Sequence, residues 1–68
     1  MTFRVELEQE EDGRWIAEVG DLPGVLAYGS TPDEAQARVQ ALALRVVAER
    51  LEHGEAGPQL LDISFRAA

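Results

Sequence analysis

Phe3, Val5 and Leu7 alternate with Arg4, Glu6 and Glu8, the two-residue period of a strand with one buried and one wet face. After the acidic stretch Gln9-Glu10-Glu11, the pair Asp12-Gly13 signals a hairpin, and residues 14–19 read as a second strand. The side chains argue the register. A two-residue turn at Asp12-Gly13 would set Leu7 against Glu18 and place a charge among the core side chains of the first strand. A three-residue turn through Gly13 sets Leu7 against Ala17 and Val5 against Val19, gathering the apolar positions on one face. The longer turn is therefore expected. It puts Trp15 on the buried side near the hairpin end and leaves Ile16 on the opposite face, between Arg14 and Glu18.

Asp21-Leu22-Pro23-Gly24 breaks the alternation, and proline at the first central position with glycine at the second suits a type II turn. Residues 25–28 then form a short third strand that ends at Gly29. The run Gly29-Ser30-Thr31-Pro32-Asp33-Glu34-Ala35 specifies a helix start. Thr31 is the N-cap, Pro32 takes the first helical position, Glu34 at the third completes a capping box, and Asp33 adds negative charge where the helix dipole favours it. Ala35, Val39, Leu42, Ala43, Val46, Val47 and Leu51 recur at helical spacing, with Leu44 widening the stripe, until His53-Gly54 supplies the stop. About 22 residues of helix give ~33 Å, enough to cross a four-stranded sheet. Gly57-Pro58 sets a loop, after which Leu61, Ile63 and Phe65 alternate with Asp62, Ser64 and Arg66 in a last strand. A helix between the third and fourth strands lets the return strand lie parallel to the first. The predicted fold is α+β in the order β-β-β-α-β: an antiparallel three-stranded meander, a fourth strand parallel to the first, and one long helix on one face of the sheet.

Composition adds a stability argument. A 68-residue chain buries about 60% of its unfolded surface, on the order of 6,500 Å². With roughly 60% of that area apolar at about 25 cal/mol per Å², burial contributes ~100 kcal/mol, and ordering the chain at about 1.5 kcal/mol per residue costs ~100 kcal/mol. Small domains escape this balance through disulfides, a metal or association; with no cysteine and one histidine, association is the expected route, as a homo-oligomer. No apolar run approaches the length of a membrane span and no signal segment opens the chain, so a cytoplasmic protein without membrane contact is expected. Thirteen acidic residues against six basic ones leave a net charge of −7, which repels phosphate backbones and argues against direct nucleic-acid binding by this chain alone. The same charge steers a basic macromolecule toward it.

The element order, with Asp12-Gly13, Asp21-Leu22-Pro23-Gly24, Gly29-Ser30-Thr31, Glu34-Ala35 and Gly54-Glu55 followed by Pro58, resembles the N-terminal domain of the HicB-like antitoxin family over almost the whole chain. The resemblance implies a partial ribonuclease-H-like fold spanning residues 1–68 as a single domain. It also implies a role in a type II toxin-antitoxin system, sequestering a small basic RNA-cleaving toxin of the HicA type. Asp21, Pro23, Gly24, Gly29, Thr31 and Glu34 carry the structural motif. Family members commonly add a C-terminal DNA-binding module, and this chain stops at Ala68 without one, so DNA-linked autoregulation is not expected of it. Where the family often places a small polar residue or cysteine after the Pro-Gly pair, Val25 stands here and rules out redox chemistry at that position.

The residues expected to meet the partner are Glu6, Glu8, Ile16, Glu18 and Tyr28, the acidic uncovered sheet face with its apolar members. An alternative is a self-assembling interaction domain without a toxin, motivated by the stability balance and by Ile16, Tyr28 and Leu60 at exposed positions or sheet edges. A third reading is a metal-dependent nuclease using Glu6 or Glu8, Glu18 and Asp62 on one face. Those acids are better explained as the wet positions of an amphipathic sheet, with Arg4, Arg14 and Arg66 as cross-strand charge partners. No catalytic residue, metal site or cofactor is expected: Ser30 and Ser64 have no triad around His53, which sits where a helix end favours a cation, and the glycines fall at turns. Trp15 is expected in the core.

Overall fold

The computed structural model describes residues 1–55, 57 and 62–67. Its elements are β1 (Thr2–Gln9), β2 (Trp15–Val19), β3 (Leu26–Gly29), α1 (Pro32–Glu52) and β4 (Ser64–Ala67). The four strands form one mixed sheet in the order β3-β2-β1-β4; β1 and β2 are antiparallel, β2 and β3 are antiparallel, and β4 runs parallel to β1. The architecture is α+β with the expected β-β-β-α-β order.

The hairpin adopts the longer turn. Val5 pairs with Val19 and Leu7 with Ala17. The Glu10 N–H donates to the Arg14 carbonyl at 2.7 Å and the Gly13 N–H to the Glu10 carbonyl at 3.0 Å. Gly13 has a φ of 90°, a left-handed conformation that a side chain would strain. After β2, two turns follow in series. The Leu22 N–H donates to the Val19 carbonyl and the Val25 N–H to the Leu22 carbonyl, with Gly24 at a φ of 82°, so Pro23-Gly24 occupies the centre of a type II turn and Asp21 belongs to the turn before it.

The helix begins at the expected cap: the Glu34 N–H donates to Thr31 Oγ1 at 3.1 Å. The reciprocal half of the box differs from expectation. Glu34 Oε1 accepts from the Ser30 N–H at 3.1 Å, one residue further back than the cap amide, and so also fastens the exit from β3. At the other end the Gly54 N–H reaches the Leu51 carbonyl and the Glu55 N–H the Arg50 carbonyl, with Gly54 at a φ of 72°, the paired pattern of a Schellman stop. His53 Nδ1 lies 2.9 Å from the Glu49 carbonyl, consistent with its expected capping place.

Phe3, Val5, Ala17, Val19, Leu22, Val25, Ala35, Val39, Ala43 and Val47 form the core, with Leu7, Trp15, Ala27, Leu42, Val46 and Phe65 packed against it. The buried helical positions fall at a strict four-residue spacing, Ala35, Val39, Ala43 and Val47. That stripe is narrower than expected, since Leu44 is 46% and Leu51 39% exposed. The reason is geometric: α1 packs chiefly on β2 and β3, and a 21-residue helix of about 32 Å overruns a sheet about 19 Å wide. Close approach is bought with small residues. A Cβ on Gly29 would lie 2.9 Å from the Ala35 Cα, so this glycine allows the turn into α1 to seat against the sheet.

Over β1 and β4 the Phe3 and Phe65 rings, 5.8 Å apart, complete the cover. The last strand starts later than expected: Ile63 precedes it and is 37% exposed, while Leu61, like Leu60 and Pro58, lies outside the described residues. The second strand starts one residue later than expected and ends where expected, and the third is displaced by one residue. Arg14 belongs to the hairpin loop, and Val25 is buried in the turn before β3.

Candidate functional face

The side of the sheet away from α1 is built from the alternate residues of every strand. Cross-strand pairing sets Glu6 against Glu18, Glu8 against Ile16, Ile16 against Tyr28 and Glu18 against Leu26. At the other end of β1, Arg4 pairs with Arg66 and Thr2 with Ser64, whose hydroxyls lie 2.9 Å apart. Glu6, Glu8, Ile16, Glu18 and Tyr28, the five residues expected to meet a partner, therefore share one surface. Glu6, Leu7, Glu8, Ile16 and Glu18 line a hollow of about 160 Å³ on it.

The charges on this face are not neutralised in the way the sequence suggested. Arg4 and Arg66 do not pair with the glutamates; they face each other, and Glu6 faces Glu18. Like charges directly opposite on a sheet are destabilising. Among the described residues the ion pairs are Arg14 with Asp12 at 2.8 Å and Arg38 with Glu34 at 3.3 Å, neither involving the face glutamates. The third expected cross-strand cation, Arg14, stands at the hairpin end, bonded to Asp12 and lying over the Tyr28 ring at 4.6 Å from its centroid. The Arg14 backbone N–H also donates to Asp12 at 3.0 Å, and these bonds hold the Asp12 carboxyl below its ordinary range. A larger open hollow of about 420 Å³, lined by Glu10, Glu11, Asp12 and Arg14, lies at this loop.

Two participants escaped the sequence reading. Leu26 extends the apolar corner formed by Ile16 and Tyr28; its two-residue spacing from Tyr28 was the readable signal for its place. Arg38 projects from α1, donates to the Tyr28 carbonyl at 3.0 Å and pairs with Glu34. The Glu34–Arg38 spacing of four was a readable signal for the ion pair, though not for the link to the edge strand.

The nuclease constellation is not assembled as expected. Asp62 lies before β4, where its carbonyl accepts from the Met1 ammonium at 2.6 Å. Among the described residues no group of three or more His, Asp and Glu side chains is placed to hold a metal ion. Nor, among those residues, is any helix long and apolar enough to cross a membrane. The face thus offers an acidic band, flanked by an apolar corner and a pair of arginines, that suits docking of a macromolecular surface. No protein-family model, curated protein or solved structure matches this chain.

Proposed function

We propose that this chain is an antitoxin-like binding protein that sequesters a small basic toxin on its open sheet face, as its resemblance to the HicB-like antitoxins implies. The observation that carries the reading is the Glu6–Glu18 pair beside Glu8: three carboxylates held together on a rigid sheet at a cost to the free protein. Cationic side chains of a partner relieve that repulsion, and Ile16 and Leu26 supply apolar contact for their stems. The net charge of −7 steers such a partner during approach. In this reading the chain acts in the cytoplasm by occlusion and has no chemistry of its own.

Coexpression with the basic product of a neighbouring gene, followed by calorimetric titration at increasing salt, tests the proposal. A complex that weakens with salt, and weakens at least tenfold further in the Glu6→Lys, Glu8→Lys double variant, supports it. A complex indifferent to both, or no complex with any basic neighbour, overturns it.

A further inference from the structure

We infer that the Asp12-Gly13 step of the hairpin loop is a site of spontaneous backbone isomerisation to isoaspartate, and that Arg14 is the guard that holds it in check. The argument rests on the geometry of the loop and is independent of the toxin reading. Of the four aspartates in the sequence, Asp12 alone is followed by glycine; Asp21, Asp33 and Asp62 precede Leu22, Glu34 and Ile63. Glycine has no side chain to shield its nitrogen, and nothing lies within 4 Å of the place where a Cβ on Gly13 would stand. The Asp12 and Arg14 side chains are 55% and 57% exposed, so water reaches the step freely.

The reaction needs no enzyme and no cofactor. The Gly13 nitrogen attacks Cγ of Asp12; an N–Cγ bond forms, a Cγ–O bond breaks, and one water leaves with the carboxyl proton and the amide proton. Water then opens the cyclic imide at the former backbone carbonyl carbon of Asp12, whose bond to the Gly13 nitrogen breaks as that nitrogen regains a proton. The backbone now runs through Cβ and Cγ and is one atom longer. The freed carboxylate keeps the charge, and no atom is gained or lost overall.

Two features of the native loop oppose the first step. The carboxyl oxygen departs as water only from the protonated form, and here the anion is held: Oδ1 accepts from the Arg14 backbone N–H at 3.0 Å and Oδ2 from Arg14 Nε at 2.8 Å. The Gly13 N–H, which must surrender its proton, donates instead to the Glu10 carbonyl at 3.0 Å. Glu10 and Glu11 line the same hollow, and among the described residues Arg14 is the cation that pairs with Asp12. Once the step isomerises, the extra backbone atom lies inside the turn that sets Gln9 against Trp15. The Arg14 guanidinium also loses the carboxylate geometry that steadies it over the Tyr28 ring, which carries the change to the open face.

Prolonged incubation of the whole chain at neutral pH, followed by peptide mapping and by methylation with an isoaspartate methyltransferase, tests the inference. The parent unfolded in urea is expected to accumulate isoaspartate at residue 12, and the folded parent to do so more slowly. In folded Arg14→Ala the rate is expected to rise about two- to fivefold over the folded parent, a modest factor because the lost ion pair is exposed and the backbone N–H remains. Asp12→Glu keeps the charge but closes only a larger, slower ring, and is expected to give no product at this position. Val47→Ala, which truncates a core side chain on α1, separates the guard from general stability. It is expected to lower the melting temperature and leave the folded rate at the parent's value, with circular dichroism following the fold in every sample. A folded parent that isomerises as fast as the unfolded chain, an Arg14→Ala rate equal to the parent's, a Val47→Ala rate equal to that of Arg14→Ala, or no product in either state overturns the inference.

Discussion

On β1, Phe3 and Val5 are 4% and 0% exposed, while Arg4 and Glu6, one residue further along, stand in solvent opposite charges of their own sign. The same strands thus build two faces under different rules. On the covered side every position serves packing, down to the alanines that admit α1 and the glycine that admits its first turn. On the open side, cross-strand partners that would stabilise the free chain are missing although both signs of charge are present, two residues apart. An exchange of Arg4 and Glu6 in the sequence would have paired every one of these charges. The difference marks the covered face as the source of the fold and the open face as a surface whose charges are not paired across strands; in the proposed function a partner completes them.

The comparison is broken most forcefully by moving the rule of one face to the other. Val5→Asp places a carboxylate in the centre of the core with no basic side chain beside it, at an expected cost of several kcal/mol, enough to unfold a domain this small. Circular dichroism should then show no cooperative melt. Gly29→Ala drives a Cβ into the Ala35 backbone and is expected to cost about 1–3 kcal/mol, read as a lower urea midpoint with an unchanged slope. Thr31→Ala removes the acceptor for the Glu34 N–H and is expected to cost about 1 kcal/mol. The smallest expected effect belongs to Asp12 at the hairpin loop. Its carboxyl is held below the ordinary range chiefly by the Arg14 backbone N–H, so its contribution is present above about pH 4 and fades as the pH falls through the lowered value. An acid titration of the melting temperature should therefore show a slightly smaller loss in Asp12→Ala than in the parent.

Much of the covered face was legible in the sequence because packing and local geometry point the same way there. The demand that Leu7 meet Ala17 rather than Glu18 decided the hairpin register, Pro23-Gly24 announced its turn, and Thr31-Pro32 announced the helix. Boundaries were harder. Leu44 and Leu51 look like core in a helical projection and stand in solvent, because the width of the stripe depends on how much sheet lies beneath α1 rather than on the helix itself. On the open face the membership of Glu6, Glu8, Ile16, Glu18 and Tyr28 was legible from alternation alone. The hairpin register also carried the pairing of Glu6 with Glu18 and Glu8 with Ile16, but the placement of β4 was hidden, since a displacement of that strand against β1 decides whether Arg66 meets a glutamate or Arg4, and alternation is silent on that. The link from Arg38 to the Tyr28 carbonyl was equally hidden, because it joins elements ten residues apart across a turn.

The most direct test of the central claim is the melting temperature of Glu6→Arg, measured beside the parent at the same low protein concentration. Replacing the Glu6–Glu18 repulsion by an opposite-charge pair is expected to stabilise the free chain by about 0.2–1 kcal/mol, a rise of up to several degrees for a domain of this size. An unchanged or lower melting temperature would show that the open face stores no repulsion, and would contradict the reading of that face as one completed by a partner.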